Sequence, residues 1–177
     1  GIVAVMLGEV ERGLTLLNQA VSAFQSSNDR PNLARTLVRR AVAHRFLGNY
    51  AASLEDADQT LALTEADETL RAIRAEALRA KGICHNLSGQ LNEAIKWLEQ
   101  SLGTYDALGE VQNVAIVLME LGIVHTTAGR YDSALAHYTR ALEYWRKTEN
   151  ISWQANLLNN LGVLYHLKGD YERAGQT

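Results

Sequence analysis

Histidine and cysteine are the residues of this sequence whose side chains would most readily bind a metal, carry a proton or attack a substrate. Three of the five histidines, His44, His85 and His125, are separated by intervals of 41 and 40 residues. Neither an HExxH pair nor an acidic triplet at ligand spacing accompanies them. A regular interval predicts one histidine on each of three successive structural elements, so we interpret them as packing residues and not as a zinc site. His137 and His166 are isolated in the sequence, which is typical of ordinary surface or core histidines.

The other reactive side chains form no catalytic pattern. Cys84 is the single cysteine, so an internal disulfide framework is excluded, and we expect an inert, partly buried thiol. Glu55, Asp56 and Asp58 form an acidic cluster that we expect on a solvated helix face. No GxxxxGK[ST] or GxGxxG phosphate loop is present. The sequence therefore predicts no enzyme activity, no metal and no cofactor.

The composition indicates a folded chain that carries no overall positive charge. The 177 residues are 47% hydrophobic and 21% charged, which is enough apolar material for a sizeable core. The net charge of −3 argues against direct nucleic-acid binding. No secretory leader or run of about 20 apolar residues is visible, so we expect a cytoplasmic location and no membrane contact. The chain lacks an initial Met and stops at AGQT, which we interpret as a fragment of a larger protein.

A recurring sequence motif shows which structural elements position the histidines and the cysteine. Turn glycines recur at intervals of 40, 41, 40 and 40 residues, and three of the five begin a Gly-x-Tyr motif while the other two begin GEV and GQL: Gly8, Gly48, Gly89, Gly129 and Gly169. A small residue stands seven positions before each of them: Gly1, Ala41, Gly82, Gly122 and Gly162. An apolar stripe at helical spacing follows each turn. The repeating unit is thus predicted to be helix, left-handed glycine turn, helix, with close crossing at the small residue and no β-strand. Pro31, after Ser-Ser-Asn-Asp, predicts a helix start.

The pattern resembles a known family. Leu161, Gly162, Tyr165, Gly169, Tyr171 and Ala174 reproduce the motif of tetratricopeptide (TPR) repeats, although the period is about 40 residues and the usual period is about 34. Longer-period variants occur in sensor arrays of bacterial transcription activators similar to MalT, in LGN-type scaffolds, in kinesin light chains and in peptide-sensing regulators of the Rap and PlcR kind.

The resemblance implies an all-α fold, a right-handed superhelical α-solenoid of stacked antiparallel helix pairs. We expect a single TPR-like array over residues 1–177. Its repeats would be residues 1–29 (truncated), 30–69, 70–110, 111–150 and 151–177 (truncated).

In such arrays the face of each first helix opposite the core lines a concave groove, and the resemblance implies that this groove binds a protein or peptide. Helical geometry, at about 100° per residue, assigns that face from the small residue of each repeat. The predicted groove residues are Arg35, Arg39, Val42, Arg45, Arg79, Ile83, Asn86, Glu120, Ile123, Thr126, Asn156, Asn159, Asn160, Val163 and His166. The groove is graded from arginines to asparagines, which predicts a ligand that is acidic at one end.

Two functions remain open from the sequence. The first is an interaction module, the sensor or scaffold array of a larger bacterial regulatory protein, which takes part in signalling or transcription regulation. The carboxylate-clamp and LGN-type repeats often carry Asn where this chain has Val42 and Ile83, so a regulator array is favoured. The alternative is a structural spacer that self-associates through exposed repeat ends and forms concentration-dependent dimers. A part of an enzyme-regulating signalling protein is a distant third.

Overall fold

The computed structural model describes residues 2–175 of the chain, with side chains at 8–170 and 172–175. Nine α-helices and one short 3-10 helix form the regular structure of these residues: α1 (Ile2–Ser26), α2 (Arg30–Phe46), α3 (Tyr50–Thr64), the 3-10 helix Glu68–Leu70, α4 (Arg71–Leu87), α5 (Leu91–Ala107), α6 (Val111–Thr127), α7 (Tyr131–Lys147), α8 (Ile151–Leu167) and α9 (Tyr171–Ala174). No β-strand occurs between residues 2 and 175. The predicted all-α solenoid class, built from consecutive antiparallel helix pairs, is confirmed.

The chain forms two compact units. The first unit, Gly1–Ser88, contains α1 to α4, and the second unit, Gly89–Thr177, contains α5 to α9. The single array over residues 1–177 stays a prediction. Gly1, the first of the predicted small residues, lies outside the described residues.

Four of the five predicted glycine turns are confirmed. Gly48, Gly89, Gly129 and Gly169 have φ between 70° and 77°, the left-handed region in which a Cβ atom is disfavoured. The amide after the glycine then donates to a carbonyl five residues earlier, as in the 2.8 Å bond from Arg130 N to His125 O. This bond satisfies a carbonyl at the end of the first helix and reverses the chain.

The turn predicted at Gly8 is wrong, because α1 runs without a break from Ile2 to Ser26. Continuing α1 through Gly8 costs only about 1 kcal/mol relative to alanine. The chain therefore extends the existing helix. Notably, Gly109 between α5 and α6 is also left-handed, with φ of 69°, and the repeat pattern did not predict it.

Side chains from the connecting loops cap several helices. Asp29 accepts a 3.2 Å hydrogen bond from the amide of Asn32 at the start of α2, with Pro31 in the first turn as predicted. Asn150 accepts a 3.2 Å bond from the amide of Trp153 at the start of α8. These caps fix where the first helix of a repeat begins.

Close helix crossing at the small residue is confirmed in the second unit. Gly122 of α6 lies against the ring of Tyr138 of α7, and a Cβ built on Gly122 would be 2.3 Å from Cε1 of that ring. Tyr138 is 2% exposed and belongs to one core cluster with Leu118 and Trp145. The Trp145 ring stacks on Trp153 at 5.1 Å between ring centroids. Trp153 is therefore a packing residue.

The acidic cluster on α3 is solvated only in part, because Glu55 and Asp58 are exposed as expected and Asp56 is buried. Asp56 is 2% exposed, and its two oxygens accept hydrogen bonds of 2.8 and 2.6 Å from Nε and Nη2 of Arg40. Asp58 accepts a 2.5 Å bond from Nζ of Lys81, which is itself 8% exposed. Arg40 and Lys81 each lie one residue before the small residue of their helix, on the side that packs against α3. Burial of these cations requires carboxylate partners, and α3 supplies them.

Candidate functional site

The first helices of the repeats in the first unit are strongly basic. α2 contains five arginines and no acidic residue, and α4 contains three arginines, one lysine and one glutamate. Part of this charge is neutralised internally: Arg40 pairs with Asp56, Lys81 with Asp58, and Arg71 with Glu68. The exposed side of these two helices is the α2/α4 face, defined here by Arg35, Arg39, Val42, Arg45, Phe46, Arg79, Ile83, Asn86 and Leu87.

Two arginines of this face are free to bind an anion. Arg35 and Arg39 are exposed and lie one turn apart on α2. Among the described residues, no carboxylate lies within ion-pair distance of either guanidinium. A guanidinium fork binds carboxylates with two parallel hydrogen bonds, so a pair of them favours an acidic ligand.

The same face also presents large apolar side chains. Phe46 and Leu87, the last residues of α2 and α4, are 61% and 49% exposed. The Arg45 guanidinium lies 4.7 Å from the centroid of the Phe46 ring, a cation–π contact that keeps the ring at the surface. Val42 and Ile83 are half-buried beside them. Exposed aromatic and aliphatic residues next to arginine are typical of protein interfaces.

Two polar atoms on this face have no hydrogen-bond partner among the described residues. They are Nε of Arg45, a donor, and Oδ1 of Asn86, an acceptor, and both are buried. Arg45 and Asn86 occupy the same position in successive repeats. A buried polar atom without a partner costs free energy. Both atoms lie too deep for an outside ligand to reach them without a movement of the side chains, so they carry no binding assignment.

In the second unit the predicted groove residues lie on α6 and α8. Glu120, Ile123 and Thr126 of α6 are half-buried. The Thr126 hydroxyl donates to Gly122 O at 2.8 Å and is therefore occupied within the helix. On α8, Asn160 is half-buried, and four residues are exposed: Asn156, Asn159, Val163 and His166. Seven of the fifteen predicted residues thus lie in the first unit and eight in the second, and none of them is buried.

The sequence of the repeats matches a family model described as tetratricopeptide repeat over residues 34–107 and 113–176. The chain belongs to the tetratricopeptide repeat family. Tetratricopeptide repeats are in general interaction or scaffold modules that bind protein partners and are not catalytic. No curated protein sequence matches the chain.

Several solved structures share the tetratricopeptide fold of this chain. BtubC (BKLC) from P. vanneervenii is 18% identical with a TM-score of 0.78, and the match covers 93% of this chain and 69% of that one. A putative kinesin light chain from Podosopora anserina with nearly identical TPR-like repeats is 20% identical with a TM-score of 0.76, and the match covers 96% and 83%. Aspartyl phosphate phosphatase F from Bacillus subtilis is 13% identical with a TM-score of 0.86, and the match covers 98% of this chain and 46% of that one. Such low identities show the fold alone, and the likeness to MalT-like arrays and LGN-type scaffolds stays a prediction.

The tetratricopeptide array also places two histidines together, which the sequence did not predict. His125 of α6 and His137 of α7 stack with ring centroids 5.2 Å apart, so His137 is not isolated. Burial lowers the pKa of both histidines, and the positive charge of Arg130 lowers that of His125 further while Glu99 opposes it. Parallel stacked rings do not direct their nitrogen lone pairs at one point. Within residues 2–175 no group of three potential ligands surrounds a metal position.

Cys84 is more deeply buried than expected, with no exposed surface. Its Sγ donates to Oγ of Ser53 at 3.1 Å, and burial raises the pKa of the thiol. A buried thiol with a raised pKa is a poor nucleophile, because the reactive species is the thiolate. As for membranes, none of the described helices combines the length and the apolar character needed to cross a bilayer.

Proposed function

We propose that this chain is a protein-interaction module whose α2/α4 face binds an extended, acidic segment of a partner protein. The observation that carries the proposal is that Arg35 and Arg39, exposed and without a carboxylate partner among the described residues, share the α2/α4 face with exposed Phe46 and Leu87. Charge would guide the partner to the face, and apolar contacts would hold it there.

Each part of the face has a separate task in this proposal. Arg35 and Arg39 bind carboxylates of the ligand. Phe46 and Leu87 contact its apolar side chains. The predicted ligand is therefore a segment that carries both acidic and large apolar residues.

Fluorescence anisotropy with a library of labelled nine-residue peptides tests the proposal. The library would vary the positions of Asp, Glu, Leu and Phe in an otherwise Ser/Gly background. We expect saturable binding of acidic, apolar members that weakens as salt is raised, because exposed charge pairs are screened. Arg39→Glu should weaken binding by about tenfold or more, since it replaces attraction by repulsion. Arg79→Glu should act in the same direction.

Arg12→Glu is the matched control, because Arg12 is an exposed arginine of α1 outside the face. It makes the same change of net charge and should leave binding within about twofold. Equal losses for Arg12→Glu and Arg39→Glu would show that only net charge matters. In that case the α2/α4 face is not the binding site.

The wider context belongs to the same proposal. We infer that the array is the sensor or scaffold part of a larger bacterial regulatory protein acting in the cytoplasm. The fold shared with aspartyl phosphate phosphatase F from Bacillus subtilis, of which this chain matches 46%, supports this inference. Signalling and transcription regulation are proposed on this basis. The grading of one groove from arginines to asparagines stays a prediction.

A further inference from the structure

α3 forms hydrogen bonds to both helices that carry the α2/α4 face. The hydroxyl of Ser53 donates to the carbonyl oxygen of Ala41 on α2 at 2.7 Å and accepts from Sγ of Cys84 on α4 at 3.1 Å. Ser53 is 1% exposed, and Cys84 has no exposed surface. A single buried hydroxyl of α3 therefore joins α2 to α4.

Two carboxylates of α3 reach the same two helices. Asp56 accepts bonds of 2.8 and 2.6 Å from the guanidinium of Arg40 on α2, and Asp58 accepts a bond of 2.5 Å from Nζ of Lys81 on α4. Ser53, Asp56 and Asp58 together form what we call the α3 bridge. Each of the two helices is thus bonded to α3 at two of its residues.

The second helices of the next two repeats, α5 and α7, pack without such a bridge. At the position of Ser53 they have Ala94 and Ala134, both 0% exposed, and at the position of Asp56 they have a tryptophan and a histidine. Because the side chain of alanine forms no hydrogen bond, the packing of a repeat does not require a polar bond there. A hydrogen bond is directional, so a buried set of satisfied bonds specifies one placement of the helices more narrowly than apolar contact does.

The residues bonded to the α3 bridge adjoin residues of the α2/α4 face. Arg40 follows Arg39 on α2, and Cys84 follows Ile83 on α4. The face combines the exposed arginines of α2 with apolar side chains of α4, such as exposed Leu87. A shift of α4 relative to α2 would therefore change the distance between the acid-binding part and the apolar part of the face.

We propose that Ser53, Asp56 and Asp58 are positioning residues that hold α2 and α4 in one relative placement, so that the α2/α4 face selects ligands by the separation of their acidic and apolar residues. This role rests on the function proposed above, since it requires that the face binds such a ligand. The three residues act through the α2 and α4 residues to which they are bonded. A face that is held in its binding geometry needs less ordering when the ligand binds, and it discriminates against ligands of the wrong spacing.

Spin labels on the two helices test the placement without any ligand. Phe46→Cys and Leu87→Cys, at the exposed ends of α2 and α4, allow one nitroxide on each helix, while the buried thiol of Cys84 stays unlabelled. Double electron–electron resonance should give one narrow distance distribution. Ser53→Ala and Asp58→Asn should each widen it by about twofold or more, because each removes a bond between α3 and α4.

Both variants are expected to fold, and α3 offers a matched control. Alanine is the natural residue at the position of Ser53 in two other repeats, and the side chain of Asp58 is 60% exposed. The control is Glu55→Gln, because Glu55 is an exposed carboxylate of α3 without a hydrogen bond to α2 or α4 among the described residues. It makes the same change of charge as Asp58→Asn and should leave the distance distribution unchanged.

The library of nine-residue peptides measures the choice of ligand by fluorescence anisotropy. For the unmodified chain we expect the best separation of acidic and apolar residues to be bound about tenfold more tightly than separations changed by two residues. In Ser53→Ala and in Asp58→Asn this preference should fall to about twofold or less. A residue that contributed only to stability would lower the midpoint of urea unfolding and leave the ratio of the affinities unchanged.

The results that would refute the role of α3 differ from the result that would refute the proposed function. An unchanged distance distribution in both variants would refute the role of α3 alone, as would a preference for one separation that both variants retain. Binding by the unmodified chain with no preferred separation would refute it as well. No saturable binding of any library peptide by the unmodified chain would instead refute the function proposed above, and with it the selection of ligands by this face.

Discussion

Gly122 of α6 contacts the ring of Tyr138 of α7. Adding a single methyl group at residue 122 therefore tests how tightly the two helices pack. A Cβ at residue 122 would lie 2.3, 2.5 and 2.9 Å from three atoms of the tyrosine ring. Carbon atoms in ordinary contact are about 3.5–4.0 Å apart. In Gly122→Ala the ring must therefore move by about 1 Å. Tyr138 is only 2% exposed, so there is little free space for this movement.

Two opposing effects set the size of the change. Overpacking a well-packed core costs about 1–3 kcal/mol. Replacing glycine by alanine inside a helix gains about 1 kcal/mol. Because the overlap involves a buried aromatic ring, we expect the upper part of the cost range and a net loss of about 1–2 kcal/mol. Gly103→Ala is the control, since Gly103 lies inside α5 with no neighbouring atom within 4 Å of an added Cβ. It should stabilise the protein by up to about 1 kcal/mol.

Urea unfolding followed by tryptophan fluorescence measures these changes. The three tryptophans, Trp97, Trp145 and Trp153, all lie in the second unit, so the signal reports the part of the chain that contains both glycines. In a Tyr138→Leu background the methyl group at residue 122 should become neutral or stabilising. The packing argument is refuted if Gly122→Ala and Gly103→Ala change stability by the same amount and with the same sign.

Two further predictions concern ionisable side chains. Because burial lowers the pKa of His125 and of His137, the unfolded chain takes up protons first as the pH falls through about 6.5. The free energy of unfolding should then decrease by at most about 1.4 kcal/mol per pH unit for each histidine. Urea titrations between pH 8 and 5 measure this slope, which a double His→Gln variant should lack. In the first unit, Arg40→Met should cost about 3–5 kcal/mol because it leaves the carboxylate of Asp56 buried without its guanidinium. Asp56→Asn should cost about 1–3 kcal/mol, since Arg40 is 18% exposed and retains contact with water. Urea unfolding followed by circular dichroism ranks the two variants, and an equal loss would contradict this asymmetry.

The fold was predictable because its signals recur at a fixed interval. A glycine that ends a helix and a small residue seven positions earlier are local requirements of chain reversal and helix crossing, and both are visible in one repeat. Gly8 shows where this reasoning fails. The same residue type can also lie inside a continuous helix, at a cost of only about 1 kcal/mol relative to alanine.

The side-chain pairings were less predictable, because they join residues on different helices. Asp56 looked like one member of a solvated acidic cluster, and only the packing of α3 on α2 brings it to Arg40. A basic residue in a core stripe was the available signal for this pair. His137 similarly meets His125 only across the α6/α7 crossing. The predicted groove residues, in contrast, followed from helix angles, and the described structure leaves every one of them at least partly exposed.

The Arg40–Asp56 pair means that the repeats are not interchangeable building blocks. At the position of Arg40 the next repeats have Lys81, Leu121 and Leu161, and at the position of Asp56 the fourth repeat has His137. A chimaera in which α7 replaced α3 would set a guanidinium against an imidazole, with no anion to neutralise it. Repeats with the same backbone therefore differ in the charges of their cores. Most rearrangements of the order of the repeats would leave a buried charge without its partner.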